Sequence, residues 1–124
     1  MKPLVMAPSE RAQVPTLSGE APSASFELSS LVEAWRGKDH TAVLLKSASL
    51  RVVFRSLREG NSLATHKAAG DITVQVLEGE IQFTSADRTV TLRGGQLFAL
   101  KAAVPHSVTA SQSSAILITL AQQT

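Results

Sequence analysis

Cysteine and tyrosine are absent from the 124 residues, and only five side chains are aromatic: Trp35 and four phenylalanines. Without cysteine there are no disulfides and no thiolate ligands, and the redox compartment leaves no mark. So few rings leave little surface on which unpaired bases could stack. Charge of one sign is scarce as well. Twelve basic residues stand against ten acidic ones, a formal charge of +2, and neither sign forms a run. The sequence pI of 9.4 overstates this small imbalance, because no tyrosine titrates. Nucleic acid is therefore not an expected partner. Apolar runs stop at about four residues, as in 42–45 and 115–118, whereas a membrane helix needs about twenty. No membrane partner is expected. The opening MKPLVMAPSER is too short and broken for a secretory hydrophobic region, so a cytoplasmic location is the expectation.

What the chain does contain is enough apolar material, 44%, for one modest core and one domain. Four of the five prolines, Pro3, Pro8, Pro15 and Pro22, fall at its start. Spaced in this way they oppose helix, which predicts an extended arm over 1–24 and a single domain over 25–124. In SFELSSLVEAWRGK, Leu28, Leu31, Val32 and Trp35 recur at i, i+3, i+4 and i+7. That stripe predicts a helix over about 25–36, with Ser25 as N-cap, Gly37 as stop and Trp35 as a core-facing anchor.

After Gly37 come short apolar sets at 43–45, 50–54, 72–77, 81–83, 90–92, 97–100 and 116–120, separated by REGNS, AAG, EGE, SADR, RGG and SQSS. Several alternate with period two; Ile72, Val74 and Val76 share one parity, Thr73, Gln75 and Leu77 the other. Many short strands at this spacing predict an all-β sandwich or barrel with the helix outside the pattern. Nucleophile-elbow, dinucleotide and P-loop patterns are missing. Glu78 and Glu80 flank Gly79 in a turn and are expected to be solvated; His40 is expected to be an exposed loop histidine.

Two segments carry a more specific pattern. Gly60 is followed by NSLAT, then His66, Lys67 and Ala68, then AGDITVQVLEG ending at Gly79. Gly95 is followed by QLFAL, Lys101, Ala102 and Ala103, then Val104, Pro105 and His106, with Ala110 four residues on. These spacings resemble the two motifs of the cupin superfamily, and the H-x-A-x-G segment before QVLEG is similar to that of small, single-domain bacterial cupins of RmlC-like type. The resemblance implies a jelly-roll barrel, or double-stranded β-helix, with His66 and His106 facing one barrel mouth. A small open barrel leaves sheet edges to be covered, and the proline-rich arm and the 116–120 strand are expected to cover them across a two-fold axis in a homodimer, with which the resemblance agrees.

The family's metal-binding motifs are degenerate here. Its second histidine falls on Ala68, its glutamate on Ile72 and its asparagine on Ala110. A catalytic metal commonly takes three protein ligands, and His66 and His106 alone fall short. Asp71 could complete the set only if a bulge at Ala69–Gly70 re-aimed it, since a one-residue offset points a strand side chain to the opposite face. Iron, zinc, manganese, nickel or copper would be the candidate cofactor.

The expected pocket comprises His66, His106, Ala68, Ile72, Val74 and Phe98, with Val76 and Phe83 adding apolar lining and Gln75 pointing outward. Three readings follow. One is a protein that binds a small organic ligand, a sensor or carrier, with the histidines as its polar contacts. Another is a metal-dependent oxygenase or isomerase with a non-standard third ligand, and the last an interaction protein with a vestigial pocket.

Overall fold

The computed structural model describes residues 22–122; the expected extended arm, all but its last three residues, lies outside them. Helix α1 spans Leu28–Trp35, three residues later than the sequence predicts. Ser25 is not its cap. Glu27 holds that position in extended backbone without a side-chain bond, and its carbonyl accepts the Ser30 and Leu31 amides at 3.1 and 3.3 Å. Phe26 explains the delay, because it packs on the cluster beneath the helix and so holds the entry strand-like. Gly37 ends the helix as expected. Its φ of +78° suits a residue without a Cβ, and the Lys38 amide closes the turn on Trp35 O at 2.9 Å.

Nine strands follow: β1 (His40–Lys46), β2 (Leu50–Leu57), β3 (Ser62–His66), β4 (Ile72–Glu78), β5 (Glu80–Ser85), β6 (Arg88–Arg93), β7 (Leu97–Leu100), β8 (His106–Ala110) and β9 (Ser114–Ala121). They form two antiparallel sheets, β1-β2-β9-β4-β7 and β3-β8-β5-β6. The apolar sets of the sequence account for seven of these strands. SLATH and HSVTA, which make β3 and β8, carry too few apolar residues to stand out. β9 is the central strand of its sheet, bonded to β2 on one side and β4 on the other. It therefore has no open edge to offer a second subunit, which corrects the expectation for 116–120.

The core lies between the sheets. Leu57, Val76 and Ile116 come from the five-stranded sheet and meet Ile81, Phe83 and Val108 of the other. A second cluster sits on the outer face of the five-stranded sheet, where Leu31 and Val32 of α1 cover Leu44, Phe54 and Ala115. β2 is thus buried on both faces, Val53 and Leu57 inward and Phe54 toward the helix. Leu31 is wholly buried, and burial of such a side chain contributes about 1.5–3 kcal/mol.

Charge pairs fasten the helix and the turns. Arg36 grips Glu78 with two bonds, at 2.7 and 2.8 Å, and Arg93 reaches Glu80 at 3.0 Å. The two glutamates are therefore paired with arginines, not merely solvated. Arg36 holds the Glu78 carboxyl below the usual carboxylate range. Between them Gly79 takes φ +92°, and a Cβ there would stand 2.3 Å from Ser113 O.

Candidate functional site

The register of β3 with β8 brings the histidines together. His66 ends one strand, His106 begins the other, and the two are paired across the ladder after an irregularity between Leu63 and His66. Their ring centroids are 4.2 Å apart at 61°. His106 is buried, at 4% exposure, and its ring lies parallel to Phe83 at 5.6 Å. His66 is exposed at the rim.

Each imidazole is held in the same way. Nδ1 of His66 is 3.0 Å from Ala64 O, and Nδ1 of His106 is 3.0 Å from Val104 O. A carbonyl only accepts, so each Nδ1 carries a proton, and in the neutral form of the ring Nε2 keeps the lone pair. The strands have thereby fixed two imidazoles edge to face, with both Nδ1 atoms taken by backbone.

The opposite wall comes from the five-stranded sheet. In its registers Arg51 lies beside Leu120, and Leu120 beside Ile72. One step along the strands, Val53, Ile118 and Val74 form a parallel row. These two rows, the imidazole pair and Phe83 enclose a cavity of about 180 Å³. Among the described residues its lining contains one charged side chain, Arg51, and no carboxylate.

Of the residues expected to form the pocket, His66, His106, Ile72 and Val74 do line this cavity, as does Phe83. Phe98, Ala68 and Val76 do not. Phe98 stands behind Phe83, ring to ring at 4.5 Å. Ala68 packs against the margin of the core, with its carbonyl taken by the Ala103 amide at 2.9 Å, and Val76 is sealed within the core. Gln75 is exposed.

Asp71 is corrected as a metal ligand. Its carboxylate accepts the Ala102 amide at 2.9 Å, and the side chain is exposed and outside the cavity lining. The strand irregularities fall elsewhere, at Val43/Leu45, Leu63/His66 and Val76/Glu78, so no bulge re-aims it. Among the described residues no three His, Asp or Glu side chains converge. Two imidazoles without a third donor do not fit a three-ligand protein metal centre.

His40 is likewise not a free loop residue. It opens β1 and stacks on Trp35, centroids 3.7 Å apart and planes 9° from parallel. Burial, then the nearby Arg55 charge, lowers its proton affinity below the usual histidine value. Trp35 is half-buried on the helix side, with its carbonyl accepting Ser56 Oγ at 2.9 Å.

Sequence reasoning missed Arg51. A signal was there: LRVVFRSL carries arginines at i and i+4 of an apolar strand, on the parity of Val53 and Leu57. Charge on an inward parity is the exception that marks a site.

No protein-family model matches the chain, and no curated protein sequence does. Solved structures do. A cupin superfamily protein from Desulfitobacterium hafniense aligns over 90% of this chain and 99% of its own, with 22% identity and a TM-score of 0.74. An RmlC-like cupin family protein with a double-stranded β-helix fold, from Methanocaldococcus jannaschii, aligns over 69% of this chain and 82% of its own, at 13% identity and TM-score 0.65. Part of salicylate 1,2-dioxygenase from Pseudoaminobacter salicylatoxidans also aligns, over 59% of this chain and 20% of that one, at 29% identity and TM-score 0.56. With two antiparallel sheets, and the histidine strands adjacent in one of them, the chain has the double-stranded β-helix fold of the RmlC-like cupin superfamily.

Proposed function

We propose that this protein binds a small organic molecule in the barrel cavity, as a sensor or carrier, and does so without a metal centre of its own. The observation that carries the reading is the imidazole pair. His66 and His106 line an apolar cavity, each ring fixed through Nδ1 so that Nε2 is left for a ligand. A concave apolar wall with a few fixed polar groups is how small-ligand sites are commonly built. The working unit on this reading is a cytoplasmic homodimer.

One observation favours a second reading. Two adjacent Nε2 lone pairs are also two metal ligands, and a dioxygenase shares the fold. A metal-dependent oxygenase or isomerase would then need a third ligand from outside the described residues. Metal content separates the two. Purified protein and His66→Ala are exposed to iron, zinc, manganese, nickel and copper and analysed by mass spectrometry. The binding-protein reading expects less than one equivalent of any metal, unchanged in the variant. One equivalent of a single metal, lost on His66→Ala, would replace it with the enzyme.

A further inference from the structure

Resting on the small-molecule-binding reading, we propose that the ligand is an organic anion, a small carboxylate on an apolar body, and that Arg51 is its counter-ion. Four observations converge. Among the described residues Arg51 is the one charged side chain lining the cavity. Among the described residues it has no ion-pair partner, whereas Arg36, Arg58 and Arg93 are each paired, with Glu78, Asp39 and Glu80. Its Nε is sealed from solvent and meets no acceptor. Among the described residues no carboxylate lines the cavity to neutralise it.

Arg51 is half-buried, and the part of its guanidinium withdrawn from water, Nε, is a donor left unpaired among the described residues, which is costly. Arg55, two positions along the same face, also leaves its Nε unpaired, but its guanidinium donates through Nη1 to Thr41 Oγ1. Arg51 has no such outlet. The planar fork of a guanidinium matches a carboxylate through two parallel bonds, so an incoming carboxylate would supply what the protein leaves out.

Size and lining define the rest of the ligand. The volume of about 180 Å³ is below the range of about 300–1,000 Å³ typical of drug-sized sites. A short branched-chain or monocyclic acid is the class that fits. Beside Arg51 the wall is Leu120, Ile72 and Val74, which suits a hydrocarbon body. The two Nε2 atoms accept hydrogen bonds and cannot donate to the carboxylate while neutral. This assigns the anion to Arg51 and leaves the imidazoles for a donor elsewhere on the ligand.

The test is a calorimetric titration of the full chain with matched pairs: butanoate, 3-methylbutanoate, hexanoate and benzoate, each beside its primary amide. Wild type, Arg51→Met and Arg51→Lys are compared, with circular dichroism to verify the fold. At least one acid is expected to bind about ten-fold or more tightly than its amide, the margin of a charge-assisted bond. Arg51→Met should remove that preference by weakening each acid far more than its amide, and Arg51→Lys should retain part of it. Amides binding as tightly as acids, or a preference that survives Arg51→Met, would overturn the assignment and leave the small-molecule reading standing. If neither acids nor amides bind, both fall together.

Discussion

Arg51 sits on the inward parity of β2, between strands that otherwise give the cavity Val53, Ile118, Leu120 and Ile72. If its charge is kept for a ligand, the ligand-free protein bears the cost of desolvation. Arg51→Met keeps an apolar stem of similar reach, so the variant should be as stable as wild type or more so, by up to about 1 kcal/mol. Urea unfolding measures this, and a clear loss of stability would show that Arg51 is a structural residue. His40 makes a different prediction. Its folded proton affinity lies below the ordinary value of about 6.5. The unfolded chain therefore binds its proton first on acidification, and stability is full above that pH and falls as pH drops toward the lower folded value. Asp39 and Glu78 are also held below their usual values, Asp39 first by the Arg58 amide and Glu78 by Arg36. Their contributions disappear only in the more acidic carboxylate range. Unfolding free energies at pH 7.5 and 5.5 thus separate histidine protonation from that of these carboxylates. His40→Phe, which preserves a ring against Trp35, should flatten the difference between them; equal slopes in both proteins would assign it elsewhere.

At the scale of the element, legibility followed pattern. α1 and seven strands were readable because their apolar periodicity is the same property that buries them. The strands carrying the histidines were not. β3 is exposed at four of its five positions, so it has no apolar signature, and its place is set by pairing with β8. Strand order leaves no local trace either, which is why β9 was expected at an edge and stands in the centre. Nor is it local that Asp71 turns to the Ala102 amide: the partner lies thirty-one residues away. Gly70 shows how tightly these long-range contacts are made. A Cβ there would stand 2.1 Å from the backbone oxygen of Ala121, at the point where the Ala121 amide bonds Asp71 O at 2.9 Å. Gly70→Ala must push the start of β4 away from the end of β9, and should cost about 1–3 kcal/mol. A thermal melt is sufficient to see it. Because Ile72 and Leu120 flank this contact and line the cavity, the same variant should weaken ligand binding.

For the whole molecule the open question is what covers the remaining edges. Among the described residues, two sheets that do not close on each other leave four edge strands, β1, β7, β3 and β6. An uncovered edge exposes a row of unpaired amides and carbonyls and invites another chain. β7 is the barest of them by side chain. Leu97 is 61% exposed, the one large apolar residue so placed among the described residues. Charged residues are the usual protection for an edge, and LFAL contains none. β6 differs, with arginine at both ends. Two-fold pairing is the commonest way for such a surface to be covered, and a homodimer is the expected state. Light scattering coupled to size exclusion should give twice the 13.1 kDa chain mass. Placing a charge on β7 by Leu97→Lys should shift that mass toward the monomer while leaving the circular dichroism spectrum unchanged, because this side chain is outside both core clusters. A wild-type mass of one chain at working concentration would remove the dimer altogether. A dimer indifferent to Leu97→Lys would move its interface to another of the four edges, or to residues beyond 22–122.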